Sequence, residues 1–338
     1  MKRMRAEWEK QRAILMAFPH AKSDWNLSLK EARENFLEII ETILGFEDVV
    51  VCVDPSDLEG MEILKSFFSH QILEKKLRIY SIPCNDTWAR DFGAINLEEG
   101  NQNVLLDFMF NGWGLKFASN WDNQINQTLH IKGEFGNDEL RKVGMILEGG
   151  SLESDGGGVI LTNTQCLLEG NRNAWLSKEE IEAQLMQKLG AKKILWLNHG
   201  YLAGDDTDSH IDTLARFISP TQIAYVGCED QNDEHYEELL KMEEELKALR
   251  NLNGDPYELI KLPFVSAIFE EGERLPATYA NFLFVNGGLL VPTYGDKNDS
   301  LALEILQNAL PHLKVIGISC KTLIKQHGSL HCITMQLY

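Results

Sequence analysis

Helices that each run into a short apolar strand recur along this chain, and that repetition constrains its fold more than any other feature. Ser28-Leu29-Lys30-Glu31 reads as a capping box, with Phe36, Ile39, Ile40 and Ile43 on one face of the helix it opens, before an apolar strand at 49–53. A second helix over 58–68 leads to a strand at 78–82. A third carries both boundary signals, Ser177 with Glu180 at its start and Gly190 just past its end, ahead of a strand at 193–197. A long acidic helix over 233–251 is expected to bury Tyr236, Leu239, Leu246 and Leu249. The last, over 301–310, precedes a strand at 314–318. Asn286-Gly287-Gly288 marks a hairpin turn between 282–285 and 289–291.

The strands at 193–197 and 314–318 are each followed at equal distance by a histidine, His210 and His331, and the unit ending at Ile82 leads to Trp88-Ala89-Arg90-Asp91. Repeated units of this kind suggest an array around an axis, with chemistry collected where the strands end. No Pro/Gly/Ser-rich linker divides the 338 residues, so one domain spanning 1–338 is expected.

A hydrophobic fraction of 44% and a charged fraction of 25% fit a globular chain with ample apolar mass for a core. The formal charge of −19 repels nucleic-acid phosphates and anionic lipid and attracts small cations, so no nucleic acid and no membrane is expected as a partner. Acidity also serves solubility alone. Six cysteines (Cys52, Cys84, Cys166, Cys228, Cys320, Cys332) lie far apart without a CxxC pair, which disfavours disulfides and structural zinc. The segment Met1 to Trp8 begins basic and continues into Glu9 and Lys10 with no apolar stretch, unlike a secretory signal. No run approaches the roughly 18 apolar residues of a membrane span. A cytoplasmic protein with reduced thiols is the expectation.

Four stretches look expensive for a purely structural role: Asn85 to Gly93, Glu148-Gly149-Gly150-Ser151, Asp205 to Asp212, and Gly328 to Thr334. Taken singly, each has an ordinary explanation: a packed ion pair, a tight turn, an acidic or calcium-binding loop, an inert core thiol. The calcium reading weakens because 205–212 lacks the central Gly and terminal Glu of an EF-hand. Together they say more. If His210-Ile211-Asp212 is extended, its two polar side chains share a face, presenting a proton carrier beside a carboxylate. A thiol nucleophile needs such a histidine nearby in space. Asp91 and Glu148 would be surplus in an amidase or peptidase, but they suit a delocalised cation such as a guanidinium, which carboxylates bind in a fork. Several buried carboxylates without a cation would be costly.

On these residues the chain resembles the agmatine deiminase family, a branch of the guanidine-modifying pentein superfamily related to bacterial peptidylarginine deiminases. The likeness covers nearly the whole chain. Ala6-Glu7-Trp8-Glu9 with Phe18-Pro19-His20, Trp88-Ala89-Arg90-Asp91, Glu148-Gly149-Gly150, Cys166 to Asn173, His210-Ile211-Asp212, Asn286 to Asp296 and His331-Cys332 fall in family order. The resemblance implies an α/β fold of five ββαβ units, a five-bladed propeller around a pseudo-fivefold axis, with the active site on that axis. It also implies roles: Cys332 as nucleophile, His210 as general acid/base, Asp91 and Asp212 clamping a guanidinium, and Glu148 and Trp88 lining the pocket. It implies no metal and no organic cofactor. Two departures stand out. Gln326-His327-Gly328-Ser329-Leu330 replaces the family's run of glycines before His-Cys, with Ser329 where Asn is common. Phe92-Gly93-Ala94 replaces the more frequent Thr-Gly-Pro after Asp91.

The implied reaction is hydrolytic deimination of agmatine to N-carbamoylputrescine and ammonia through a covalent cysteine intermediate, a step of putrescine and polyamine biosynthesis. Deimination of free or peptidyl arginine is the nearest alternative. A cysteine amidase and a non-catalytic guanidine- or polyamine-binding protein are the others. The expected partner is a small cationic guanidinium compound, and self-association into a homo-oligomer is left open.

Overall fold

The computed structural model describes residues 2–338, and the alternation read from the sequence is its organising theme. Five sheets of three or four strands, together with one small hairpin, make up the β structure of the described residues. Each of the five has a central strand paired antiparallel on one side and parallel on the other. Val159–Asn163 pairs antiparallel with Glu153–Ser154 and parallel with Lys193–Leu197. Gln222–Val226 stands between Ala215–Ser219 and Glu258–Leu262 in the same way. So does Gly288–Thr293 between Leu283–Val285 and Lys314–Ser319.

A parallel neighbour requires a crossover, and a helix supplies it each time: Lys178–Leu189, Tyr236–Ala248 and Asp299–Ala309 in these three sheets. The fourth sheet, centred on Gln102–Met109, crosses over through Ile125–Ile131. The fifth stitches the chain ends together: Ala13–Ala17 pairs antiparallel with Met335–Leu337 and parallel with Asp48–Val53. Ala13–Ala17, residues 49–53 and Met335–Leu337 in this sheet are buried, which explains the unbroken apolar run Val49-Val50-Val51-Cys52-Val53.

Most boundaries fall within a few residues of expectation. The capping box at Ser177 and Glu180 forms, and Gly190 ends that helix in the left-handed conformation with φ +70°. The turn Asn286-Gly287 joins two antiparallel strands, with Gly287 at φ +82°. The capping box expected at Ser28 does not form. A 3-10 turn, Asp24–Ser28, already coils the chain there, so Ser28 (φ −128°, ψ 27°) never adopts the extended shape that aims a cap oxygen at the helix. The acidic helix buries Leu239, Met242 and Leu246, whereas Tyr236 is half-buried and Leu249 lies past its end. No helix among the described residues is long and apolar enough to cross a membrane.

Candidate active site

Three of the four polar stretches line one cavity of about 190 Å³, and the fourth, 148–151, packs against its residues at Gly150. Trp88 and Asp91 come from the one-turn helix Ala89–Phe92 and its cap. Arg90, between them, turns the other way towards Glu7 and Gln336, while its backbone N–H bonds the Cys332 carbonyl at 3.1 Å. The segment carrying Asp91 is thereby tied to the one carrying Cys332.

His210 follows two non-glycine residues in the left-handed region, Asp208 and Ser209, at φ +67° and +66°. Asp205 makes that shape affordable by accepting bonds from the Thr207 and Ser209 amides. The extended reading of His210-Ile211-Asp212 is corrected here: Ile211–Thr213 is a 3-10 turn. The two side chains converge through this turn rather than through strand alternation.

Convergence is measured best at Gly150. A Cβ placed on it would lie 2.5 Å from His210 Nδ1, 2.9 Å from Asp91 Oδ1 and 3.2 Å from Asp212 Oδ2. The Gly150 amide donates to Asp91 Oδ1 at 3.0 Å, and Trp113 Nε1 donates to Asp91 Oδ2 at 2.9 Å. Asp212 Oδ2 lies 2.7 Å from His331 Nδ1, leaving Oδ1 buried with no partner. His210 Nε2 is likewise buried and unpartnered. Cys332 Sγ is 3.4 Å from Asn281 Oδ1, and its amide bonds the same oxygen.

The charge states follow from this burial. Burial, then Asp212 and Asp91, push the Cys332 thiol well above its ordinary value. Burial pulls His210 down to about 3, so the ring is neutral. Burial and the charge on Asp212 push Asp91 well up. Burial pushes Asp212 the same way, but the bond from His331 and the positive charge around it, Arg216 included, outweigh it and hold the carboxyl low. These shifts favour a protonated Cys332 thiol, a neutral His210 ring, an ionised Asp212 and a protonated Asp91.

Higher in the cavity the lining includes Asp24, Asp86, Asp205 and Asp206, and no lysine or arginine. Burial and Asp24 bring Asp86 up to about 7, and burial and Asp205 bring Asp206 up to about 6. Gly328 lies flat on Trp88, where a Cβ would fall 2.0 Å from Cζ3 of the indole. The departure from a glycine run thus keeps glycine where the indole demands it. Ser329 Oγ is 2.8 Å from Tyr294 Oη, so a hydroxyl fills the other altered position.

The family model for Porphyromonas-type peptidyl-arginine deiminases matches residues 3–337. The chain belongs to that family. Within this deiminase family, a crystal structure of a "putative peptidyl-arginine deiminase" is 56% identical, with TM-score 0.96 over 100% of this chain and 98% of that one. A Cys-to-Ser variant of C. jejuni agmatine deiminase with substrate bound is 41% identical, with TM-score 0.93 over 100% and 96%. A Marinomonas sp. "putative agmatine deiminase" is 34% identical over 99% of this chain and 94% of its own. At 11% identity and TM-score 0.52, over 97% of this chain and 100% of that one, a dimethylarginine dimethylaminohydrolase shares the mixed α/β fold.

Of the six residues expected at the site, Cys332, His210, Asp91 and Trp88 line the cavity; Asp212 lies outside that lining, converges with His210 and Asp91 at Gly150, and keeps Oδ1 buried without a partner. Glu148 stands apart from the lining. Arg172 Nε binds both of its oxygens, at 2.9 and 3.0 Å, behind His210. Sequence reasoning missed Trp113 and Asn281. Nothing local marks either one, because each acts through a partner at least 22 residues away in sequence. Glu148, Cys166 and His210 bring ligand-type atoms within 4.8 Å of one another, as do Glu7, Glu153 and His331. Guanidinium groups already hold the carboxylates of both clusters: Arg172 on Glu148, and Arg216 on Glu7 and Glu153.

Proposed function

We propose that this chain hydrolyses the guanidinium of agmatine to N-carbamoylputrescine and ammonia. The observation that carries the reading is the sign of the cavity: its lining holds the Cys332 thiol, the His210 imidazole, Asp91 and the further aspartates Asp24, Asp86, Asp205 and Asp206, and neither Lys nor Arg. Agmatine is cationic at both ends. Free arginine would bring an α-carboxylate into that acidic lining, which contains no Lys or Arg.

Cys332 is the nucleophile, His210 the general acid/base, and Asp91 and Asp212 the clamp. Trp88 is the wall against which the substrate's chain lies, and Glu148, held by Arg172, lies near His210 without bonding to it. The guanidinium charge, arriving between Asp91 and Asp212, favours ionisation of the neighbouring thiol. The Cys332 sulfur bonds to the guanidinium carbon while its proton passes to His210. His210 gives that proton to one terminal nitrogen, which leaves as ammonia, and a thiouronium remains on Cys332. His210, neutral again, takes a proton from water as the hydroxyl adds to the carbon. The C–S bond then breaks, His210 returns its proton to the departing sulfur, the hydroxyl proton is lost to solvent where it converts the ammonia to ammonium, and the neutral ureido product departs.

Residues 1–338 form one catalytic domain in this reading, with the five sheets as blades of a propeller around the site. The reaction is cytoplasmic and feeds putrescine synthesis. The test is a side-by-side ammonia and ureido assay on agmatine, arginine and a blocked arginine peptide. Agmatine should be turned over in preference to the others, and Cys332→Ala should abolish ammonia release. A preference for arginine or for the peptide overturns the substrate, and turnover of none of the three overturns the enzyme.

A further inference from the structure

We propose that His331 is a buried imidazolium that positions Asp212, and that Glu7, from the N-terminal segment, keeps it charged. The inference rests on the reading of Asp212 as one jaw of the guanidinium clamp.

His331 is fully buried, and each ring nitrogen faces a carboxylate oxygen: Nδ1 is 2.7 Å from Asp212 Oδ2, and Nε2 is 2.7 Å from Glu7 Oε1. A neutral imidazole has one N–H and one lone pair. Whichever tautomer it took, a lone pair would point at an anionic oxygen at hydrogen-bond distance. An imidazolium donates to both. Glu7 is anionic by its surroundings, since Arg216, His331 and Arg90 overcome its burial and hold the carboxyl well below the ordinary range.

Other groups act against a charge on the ring. Burial, then Arg216 and Arg90, pull His331 below its ordinary value against Glu7 and Asp212, so the charge is assigned on the two 2.7 Å contacts with carboxylate oxygens. Arg216 Nη2 lies 3.0 Å from Nε2 and has two N–H bonds, one of them directed at Glu7 Oε2, so it offers a neutral ring a donor; the shorter 2.7 Å contact of Nε2 with Glu7 Oε1 favours an N–H on the ring. The ring is also fixed by its own backbone, because the His331 amide donates to Asn281 Oδ1 at 2.9 Å. Asn281 Nδ2 in turn lies 3.2 Å from Asp212 Oδ2. His331 and Asn281 thus occupy one oxygen of Asp212 and leave the other buried without a partner.

The assignment also explains two sequence features that the chemistry left unused. His331 stands at the same distance after its strand as His210 does, and Ala6-Glu7-Trp8-Glu9 opens the chain far from the catalytic residues. Of two histidines in equivalent places, one faces the cavity with a free nitrogen and the other is saturated behind a carboxylate. His331 and Glu7 are therefore positioning residues.

The experiment is nitrogen NMR of full-length protein labelled at histidine, with His331 assigned by the signal lost in His331→Gln, combined with kinetics of Glu7→Gln on agmatine. Both ring nitrogens of His331 should be protonated at about pH 7.5, a pH at which an unperturbed histidine is mostly neutral. In Glu7→Gln one of them should lose its proton. KM should rise about tenfold with kcat within about threefold, because the loss is one of binding. A bare ring nitrogen in the wild type overturns the proposal, as does a Glu7→Gln variant with unchanged KM and ring state. A wild type that turns over no guanidine compound counts against the deiminase reading, while the NMR still decides the charge of His331.

Discussion

Replacing Gly150 by alanine adds a single methyl group at the point where His210, Asp91 and Asp212 come closest. Gly150 is not among the residues with positive φ, so the backbone accepts alanine there. The new Cβ would start 2.5 Å from His210 Nδ1, and ordinary contact begins near 3.4 Å, so the imidazole or the turn must move by about 0.9 Å. A misplacement of about 1 Å in a catalytic constellation costs about 100-fold in rate, equivalent to about 2.7 kcal/mol. The same overpacking should cost the fold about 1–3 kcal/mol, a loss that a domain of this size can absorb. Steady-state ammonia release from agmatine, alongside thermal unfolding, separates the two effects. We expect kcat/KM to fall about 100-fold with a folded, cooperative melt. Wild-type kcat/KM in Gly150→Ala would refute the convergence on which the site is built. So would a loss of activity accompanied by loss of the folded state, since the reasoning requires a folded protein with a displaced site.

Trp113→Phe removes the indole donor to Asp91, whose carboxyl burial already pushes up, so the acid limb of the kcat/KM profile should move to higher pH. The loss of a bond to a charged group should cost about 10- to 100-fold in kcat/KM; an unmoved acid limb would contradict it. His210 is held neutral with its value lowered from 6.5 to about 3, so between these values the unfolded chain binds a proton that the native ring does not. Stability from this group is complete above about 6.5 and is lost as pH falls towards 3; urea midpoints measured against pH should fall more steeply in this window for wild type than for His210→Gln. Arg172→Met leaves the Glu148 carboxylate buried without its guanidinium and should cost about 3–5 kcal/mol in urea unfolding. A change under about 1 kcal/mol would mean that Glu148 is protonated in the native protein.

What the sequence determined by itself was the set of local units and the candidate chemistry. Ser177, Glu180 and Gly190 mark a helix because caps and left-handed stops are local physics, and Asn286-Gly287 marks a hairpin for the same reason. The thiol, the imidazole and the aspartates were legible as types, and their surplus of negative charge pointed to a cation. The failures were local as well. Ser28 follows a turn that its own capping box does not announce, and His210-Ile211-Asp212 coils where alternation suggested a strand.

Only the tertiary structure decided how the charges are used. Glu148 and Asp212 look alike in the sequence, yet Arg172 occupies both oxygens of Glu148 while Asp212 keeps one free. His331 and His210 stand at equivalent distances after their strands, yet one is saturated by Asp212 and Glu7 and the other has an open nitrogen. The reason is physical. A side chain's charge state depends on burial and on partners from far along the chain, and those partners meet only when the five sheets have formed.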